Sequence, residues 1–277
     1  MKVSIKGVRG SIPTAGSETS YYGGNTACVT LLEDDWMIIL DAGSGLQKVT
    51  LPQKPTNRID ILLTHLHFDH IQGLGFFGSL FDPSKEVHIW APESSTQSLN
   101  SRLNRFLSPP FFPVMMRDLP CKLFLHDISK SSFQIGPFSI ESKYVIHPGP
   151  TVGYRITGKN AVLAYIPDHE QALGLSGMIE DKKWISGFDI ADKADLLLHD
   201  AQYTGYEYKE KIGWGHSSME DAIKFAAVAE VKRLLFFHHD PSRTDEQLDI
   251  IFSKLKQKDF EFENFDFARE GTDIDLG

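Results

Sequence analysis

Apolar residues recur along this chain in short runs bounded by Gly, Pro, Asn, Asp or Ser, and only a few stretches carry a helical period. Val3 and Ile5 alternate with polar neighbours and predict a first strand, while residues 7–24, rich in Gly, Ser, Thr and Pro, predict a loop. Further strands are predicted at 27–32, 36–40, 59–64, 86–90, 133–135, 138–140, 144–146, 151–156, 161–166, 194–198 and 234–237. Helical spacing appears at Ala222, Phe225, Ala226 and Ala229, and again at Leu248, Ile251, Phe252 and Leu255. A third helix is expected to open at Ser94 or Ser95 and run to Leu107. Residues 71–77 predict a glycine-broken turn or two, 171–193 one or two short helices, and the tail from Phe260 a closing strand. Strands and helices interleave throughout, without repeat or linker. The expectation is therefore a single α/β domain over residues 1–277.

Composition changes this picture little. The chain has 277 residues, 41% of them apolar, enough for a sizeable core. A net charge of -9 gives no general electrostatic footprint for a long nucleic acid, although a local basic patch can hide in the total. Cys28 and Cys121 have no metal-binding spacing and indicate no disulfide framework; Cys28 sits in an apolar run and reads as core. The chain alternates from its first residues and has no apolar run long enough for a bilayer, so a soluble cytoplasmic protein is expected. Residues 106–116 stand apart. Their prolines forbid a regular helix or central strand, and their aromatics and methionines are too apolar for an ordinary exposed loop. A lid, a homodimer contact and a buried irregular connection are all open.

The candidate chemistry begins where strand 59–64 runs into Thr64-His65-Leu66-His67-Phe68-Asp69-His70. On an extended backbone His65 and His67 project to one side; Asp69 and His70 follow where the chain can turn. Two ligand sets a few Å apart suit a hydrolytic site with two metal ions. Histidine and aspartate together suit zinc first, with manganese or iron tolerated. Other apolar strands also end on ligand-type residues, at His147, Asp168, His199-Asp200 and His238-His239. Strand 36–40 ends in Asp41-Ala42-Gly43-Ser44-Gly45, where Asp41 either caps a helix or holds the ligand loop and fixes a histidine tautomer. His88 reads as structural, and Asn25 and Thr26 as turn residues or substrate-facing ones.

The H-x-H-x-D-H run after an apolar strand resembles the signature of the metallo-β-lactamase superfamily, and the other strand-end residues extend the resemblance over nearly the whole chain. It implies a four-layer αββα sandwich, two mixed β-sheets flanked by helices. It also implies one divalent ion held by His65, His67 and His147, a second held by Asp69, His70 and a last-motif histidine, and Asp168 bridging them. For the last ligand, His239-Asp240-Pro241-Ser242-Arg243 fits the register of the ribonuclease Z branch with His238 in its threonine place, so His239 is expected. Gly153-Tyr154-Arg155-Ile156, His199-Asp200-Ala201-Gln202 and His216-Ser217-Ser218 are similar to the same ribonuclease Z and phosphodiesterase branch.

Carried over, Asp200 would orient His216, which would protonate the departing oxygen, and Asp69 joins them as a catalytic candidate. Asp200 replaces the branch's glutamate, one methylene shorter, which puts its reach in question. Ser217 with Glu220 also fits a capping box, and a helix N-terminus there would favour a phosphate. The Gly/Pro-rich arm that grips tRNA is not evident, and 106–116 carries no Lys or Arg. The expected substrate is therefore a small phosphodiester or cyclic nucleotide, with tRNA 3′ processing and thioester or lactone hydrolysis as alternatives.

Overall fold

A computed structural model of the chain describes residues 1–52, 57–128, 132–171 and 182–277. The first sheet contains β1 (Lys2–Gly7), β2 (Cys28–Glu33), β3 (Trp36–Leu40), β4 (Arg58–Leu62), β5 (Glu86–Pro92) and β6 (Lys122–Ile128). The second contains β7 (Ser132–Ile135), β8 (Phe138–Tyr144), β9 (Val152–Thr157), β10 (Val162–Ile166), β11 (Leu196–Asp200), β12 (Leu234–Phe237) and β13 (Phe265–Phe267). A last strand, β14 (Asp273–Asp275), returns to the first sheet beside β1, so the tail forms two edge strands in different sheets rather than one closing strand.

Each sheet is half meander and half parallel. β1, β2 and β3 pair antiparallel, and β3 to β6 run parallel. β7 to β10 pair antiparallel, and β10 to β13 run parallel. Parallel neighbours need crossover connections, and these carry the helices: α1 (Phe68–Ile71), α2 (Leu99–Phe106), α3 (Phe188–Ala191), α4 (Gly205–Tyr208), α5 (Met219–Val228) and α6 (Asp245–Lys256).

Strand alternation assigns the layers. Ile38, Leu40, Leu163, Tyr165, Leu196, Leu198, Leu235 and Phe237 pack between the sheets. Their neighbours Ala164, Ile166, Leu197, Leu234 and Phe236 pack outward against α3, α5 and α6. Ile39, Ile59, Ile61, Val87 and Ile89 pack outward against α2 and the turns around it. Strands buried on both faces need helices on both sides, and the expected four-layer sandwich of two mixed sheets results. Parallel strands also deliver their C-terminal ends to one edge. β3, β4, β10, β11 and β12 do so, and β8 joins them because it is antiparallel to β9, which is antiparallel to β10.

Two local expectations shift. The helix expected from Ser94 or Ser95 starts later: Ser98 caps α2, its Oγ accepting from Ser101 N at 3.2 Å. Ser218, not Ser217, caps α5, its Oγ accepting from Asp221 N at 3.0 Å. Of the short helices expected in 171–193, α3 is present, and residues 172–181 lie outside the described ones. In 106–116, Leu107, Phe112 and Met116 are buried against the first sheet while Phe111 is 78% exposed. None of the described helices is long and apolar enough to cross a membrane.

Candidate metal centre

The first wall of the site comes from the end of β4. The extended segment after Leu62 carries His65 and His67 and then turns into α1, whose first turn carries Asp69 and His70. Asp41, just past β3 and fully buried, holds this loop. Its carboxylate accepts from Thr64 N at 2.7 Å, from Tyr165 Oη at 2.9 Å and from His70 Nδ1 at 2.8 Å, and takes the Thr64 hydroxyl as well. A His70 that donates through Nδ1 presents the lone pair of Nε2 inward. His65 Nδ1 lies 3.1 Å from Thr64 Oγ, whose proton goes to Asp41, so His65 likewise keeps Nε2 for the site. Of the two readings of Asp41, the structure realises the loop-holding one; the turn at Ser44–Lys48 has no side-chain cap.

The second wall comes from separate strand ends. His147 follows β8 and donates from Nδ1 to Gly215 O at 2.7 Å, which leaves its Nε2 3.1 Å from His67 Nδ1. Asp168 follows β10, and Asp200 ends β11. Asp200 is fully buried and accepts from His216 Nδ1 at 2.6 Å, from Ser217 N and Gln202 N at 3.1 Å, and from His169 N at 3.1 Å. The shorter aspartate arm therefore reaches His216. Ser217, displaced from its expected capping role, directs its hydroxyl to His169 O and Gln171 Oε1.

The structure brings together His65, His67, His147 and Asp168 as one group, and Asp69, His70 and His238 as another; Asp168, His216 and His238 form a third. Within each group the candidate ligand atoms lie within 4.8 Å of one another. His239 is absent from all three, which corrects the sequence-based choice. β12 alternates up to Phe237, but His238 has φ 60°, and this left-handed step turns its ring into the site. His238 Nε2 then lies 3.2 Å from both Asp69 Oδ2 and Asp168 Oδ2. His239 instead donates from Nε2 to Ala268 O at 2.8 Å and packs edge-on against Tyr22 and Phe267. The trace left in the sequence is Gly10: a Cβ there would stand 2.3 Å from the His238 ring.

Sequence reasoning also missed Tyr165 as a partner of Asp41, and Ser11, whose amide donates to Asp69 Oδ2 at 2.7 Å. The first could have been suspected only from β10 pointing Tyr165 inward; the second has no sequence signal.

These residues fit divalent cations. His65 Nε2, His70 Nε2 and Asp168 Oδ1 are buried without a hydrogen-bond partner. His70 Nε2 and Asp168 Oδ1 are 3.0 Å apart, close enough for one cation to take both. Burial holds His65, His67 and His147 below the usual imidazole range, keeping them neutral with lone pairs free. Burial opposes ionisation of Asp168 and Asp69, but the surrounding imidazoles outweigh it and hold both carboxyls below the usual range. Burial also opposes charge on His238, yet Asp168, Asp69 and Asp200 push it up to about 9, and His70 is raised in the same way by Asp168, Asp41 and Asp69. The field that draws protons to these rings equally draws cations.

Fold and site together define a metallo-β-lactamase-type hydrolase. Residues 37–239 match the family described as the beta-lactamase superfamily domain, and the chain belongs to that family. It is a metal-dependent hydrolase with a His/Asp metal-binding cluster. The ribonuclease Z of Nanoarchaeum equitans is 24% identical over 264 residues, covering 80% of this chain and 80% of its own. Among solved structures, the short form of human tRNase Z superposes with a TM-score of 0.66 at 20% identity, over 100% of both chains. A diphosphatase from the PhnP family gives a TM-score of 0.69 at 17% identity, over 100% of this chain and 98% of its own. At such identities the two structures speak for the fold.

Proposed function

We propose that this chain is a dinuclear phosphodiesterase acting on a small phosphodiester or cyclic nucleotide, with zinc as the first candidate metal. His65, His67 and His147 would hold one ion, Asp69, His70 and His238 the other, and Asp168 would lie between them. Divalent ions bound there supply Lewis acidity to phosphoryl oxygens and a water acidic enough to ionise near neutral pH.

The observation that carries the reading is the pair of Asp200 and His216. His216 Nδ1 donates to Asp200 Oδ2 at 2.6 Å, and the ring stacks on His238 with centroids 4.8 Å apart. With Nδ1 committed to Asp200, the doubly protonated ring would hand the proton on its other nitrogen to a leaving group. An alkoxide leaving from phosphorus needs that proton; a thiolate leaving from a thioester does not. Asp200 has four donors around it and cannot swing, so the imidazole keeps one orientation. Asp69, held by Ser11 N, stands on the opposite, first wall. The net charge of -9 favours a small substrate over a long nucleic acid. The ribonuclease Z relatives favour a second reading, cleavage of an RNA phosphodiester at the same site.

A panel of model phosphodiesters, 2′,3′-cyclic nucleotides, a thioester and a precursor tRNA, assayed with added zinc or manganese, tests both. Metal-dependent turnover of the small phosphodiesters is expected. Asp168→Ala and His67→Ala should abolish it, and unchanged turnover in either would refute the assignment. His216→Ala should lower kcat on an alkyl phosphodiester by about 10²- to 10⁴-fold and leave a thioester nearly untouched. Equal losses on both would argue against the proton-donor role.

A further inference from the structure

Glu170 stands two residues beyond Asp168 and belongs to none of the three ligand groups. It is 1% exposed, and its carboxylate is fully engaged. Oε1 accepts from Tyr208 Oη at 2.7 Å and from Gly213 N at 2.8 Å; Oε2 accepts from Gly215 N at 2.8 Å. Its own amide donates to Ile146 O at 2.9 Å. These bonds tie together three segments that each carry a site residue: the one ending in His147, the one holding Asp168 and the one leading to His216.

The last segment bonds within itself as far as Trp214, whose N–H donates to Lys211 O at 3.1 Å. Gly213 and Gly215 both have positive φ, 83° and 86°, and supply no side chain. Gly215 cannot acquire one either, since a Cβ would stand 2.3 Å from Pro148 Cδ and 2.6 Å from His147 Nδ1. The two glycines are therefore placed by a partner outside the segment, since both amides donate to Glu170. Gly215 is gripped on both sides: its N–H goes to Glu170, and its carbonyl accepts from His147 Nδ1. That second bond decides which nitrogen of His147 faces the site. One residue, Gly215, thus separates the Glu170 carboxylate from the tautomer of a metal-site histidine.

We propose that Glu170 is a positioning residue of the metal centre. By clamping Gly213 and Gly215 it fixes the ring direction and tautomer of His147 and the approach of His216. The proposal rests on the dinuclear reading above and names what holds its His147 side. A carboxylate is required because only a group with two acceptor oxygens and no donor satisfies all three partners; a glutamine would turn an N–H₂ towards at least one of them.

The test reads metal uptake and needs no substrate. Chelator-stripped full-length chain is titrated with zinc against a chromophoric competitor, comparing wild type, Glu170→Gln, Tyr208→Phe and Glu207→Gln. Glu207 serves as the control: it lies on the same segment but is occupied by the Thr204 cap and by Arg243. Wild type should take up two ions. Glu170→Gln should bind one of them about tenfold or more weakly, with the other within about twofold of wild type. Tyr208→Phe should shift the same ion in the same direction by less, and Glu207→Gln should leave both affinities unchanged. Wild-type affinities in Glu170→Gln, or an equal loss in Glu207→Gln, would overturn the proposal while leaving the dinuclear reading intact. If Glu170→Gln does not fold, Tyr208→Phe decides: weakened binding of one ion supports the clamp, and unchanged binding overturns it. A wild-type chain that takes up no zinc sinks the dinuclear reading itself, a different result from either.

Discussion

The two rims of the site are built in opposite ways. On the first sheet, His65, His67, Asp69 and His70 come from one turn of chain, and a single buried carboxylate, Asp41, fastens it. On the second sheet, His147, Asp168, Asp200 and His238 arrive from four strand ends, and His216 from a loop between α4 and α5. His147 is held by Gly215 O, while Asp200 and His216 hold each other. A contiguous wall tolerates little freedom once its first residue is placed. A dispersed wall depends on every connection behind it, and backbone conformation rather than residue order decides which side chain enters.

His238 and His239 give the sharpest way to break that contrast, and the largest effect. His238→Ala removes a candidate ligand from the group with Asp69 and His70 and should cost turnover about 10³-fold or more, along with one ion of the metal stoichiometry. His239→Ala should keep both ions and stay within about tenfold of wild-type activity. It should lose about 2–4 kcal/mol of stability, because it empties a buried site packed by Tyr22 and Phe267 and strips Ala268 O of its donor. Equal activity losses in the two variants would put the dispersed wall in the wrong register.

The same pair marks the limit of what the residues alone reveal. β10, β11 and β12 were legible as short apolar runs, but runs apolar on both faces carry no period that assigns the layers, and those came from the resemblance. The first rim was legible as well, since four ligand-type residues within six positions have no packing explanation. His238 was not, because alternation fails where the backbone does: φ turns positive at His238, one step beyond the strand. Asp41 uses the same device at the end of β3, with φ 56°, but there no adjacent residue competes for the place. The Glu170 clamp was illegible for a related reason. Its partners, Tyr208, Gly213 and Gly215, are 38 to 45 residues away and carry no pattern that points back to it.

A change at Asp41 tests the contiguous wall. Asp41→Asn keeps the shape but turns an N–H₂ towards one of the groups now donating to it, Thr64 N, His70 Nδ1 or Tyr165 Oη. Because these donors hold the whole turn, affinity for both ions should fall together, by about 10- to 100-fold. Loss of one ion alone would mean that the turn holds its shape without Asp41. Glu170→Gln, by contrast, is expected to act on one ion only, so the two variants measured side by side ask whether the rims are mechanically separate.

Acid separates the rims most gently. On the first, His70 is raised by its carboxylates; behind the second, His199 and His239 are buried neutral, pushed by burial down to about 4 and about 3. A histidine whose folded value lies below its ordinary value of about 6.5 stabilises the fold above that pH and loses the contribution as pH falls. Over that fall the unfolded chain takes up a proton that the native chain refuses. The window for these two runs from about 6.5 down to their folded values, so at pH 5 each should have given up about 2 kcal/mol. Urea unfolding of the chelator-treated chain at pH 7.5 and pH 5 reads the slope. His239→Gln cannot titrate and should make the acid loss smaller by about that amount, even if the variant is less stable at both pH values. Identical pH slopes in wild type and His239→Gln would mean that His239 is protonated in the native chain. Its bond to Ala268 O would then be carried by a charged ring.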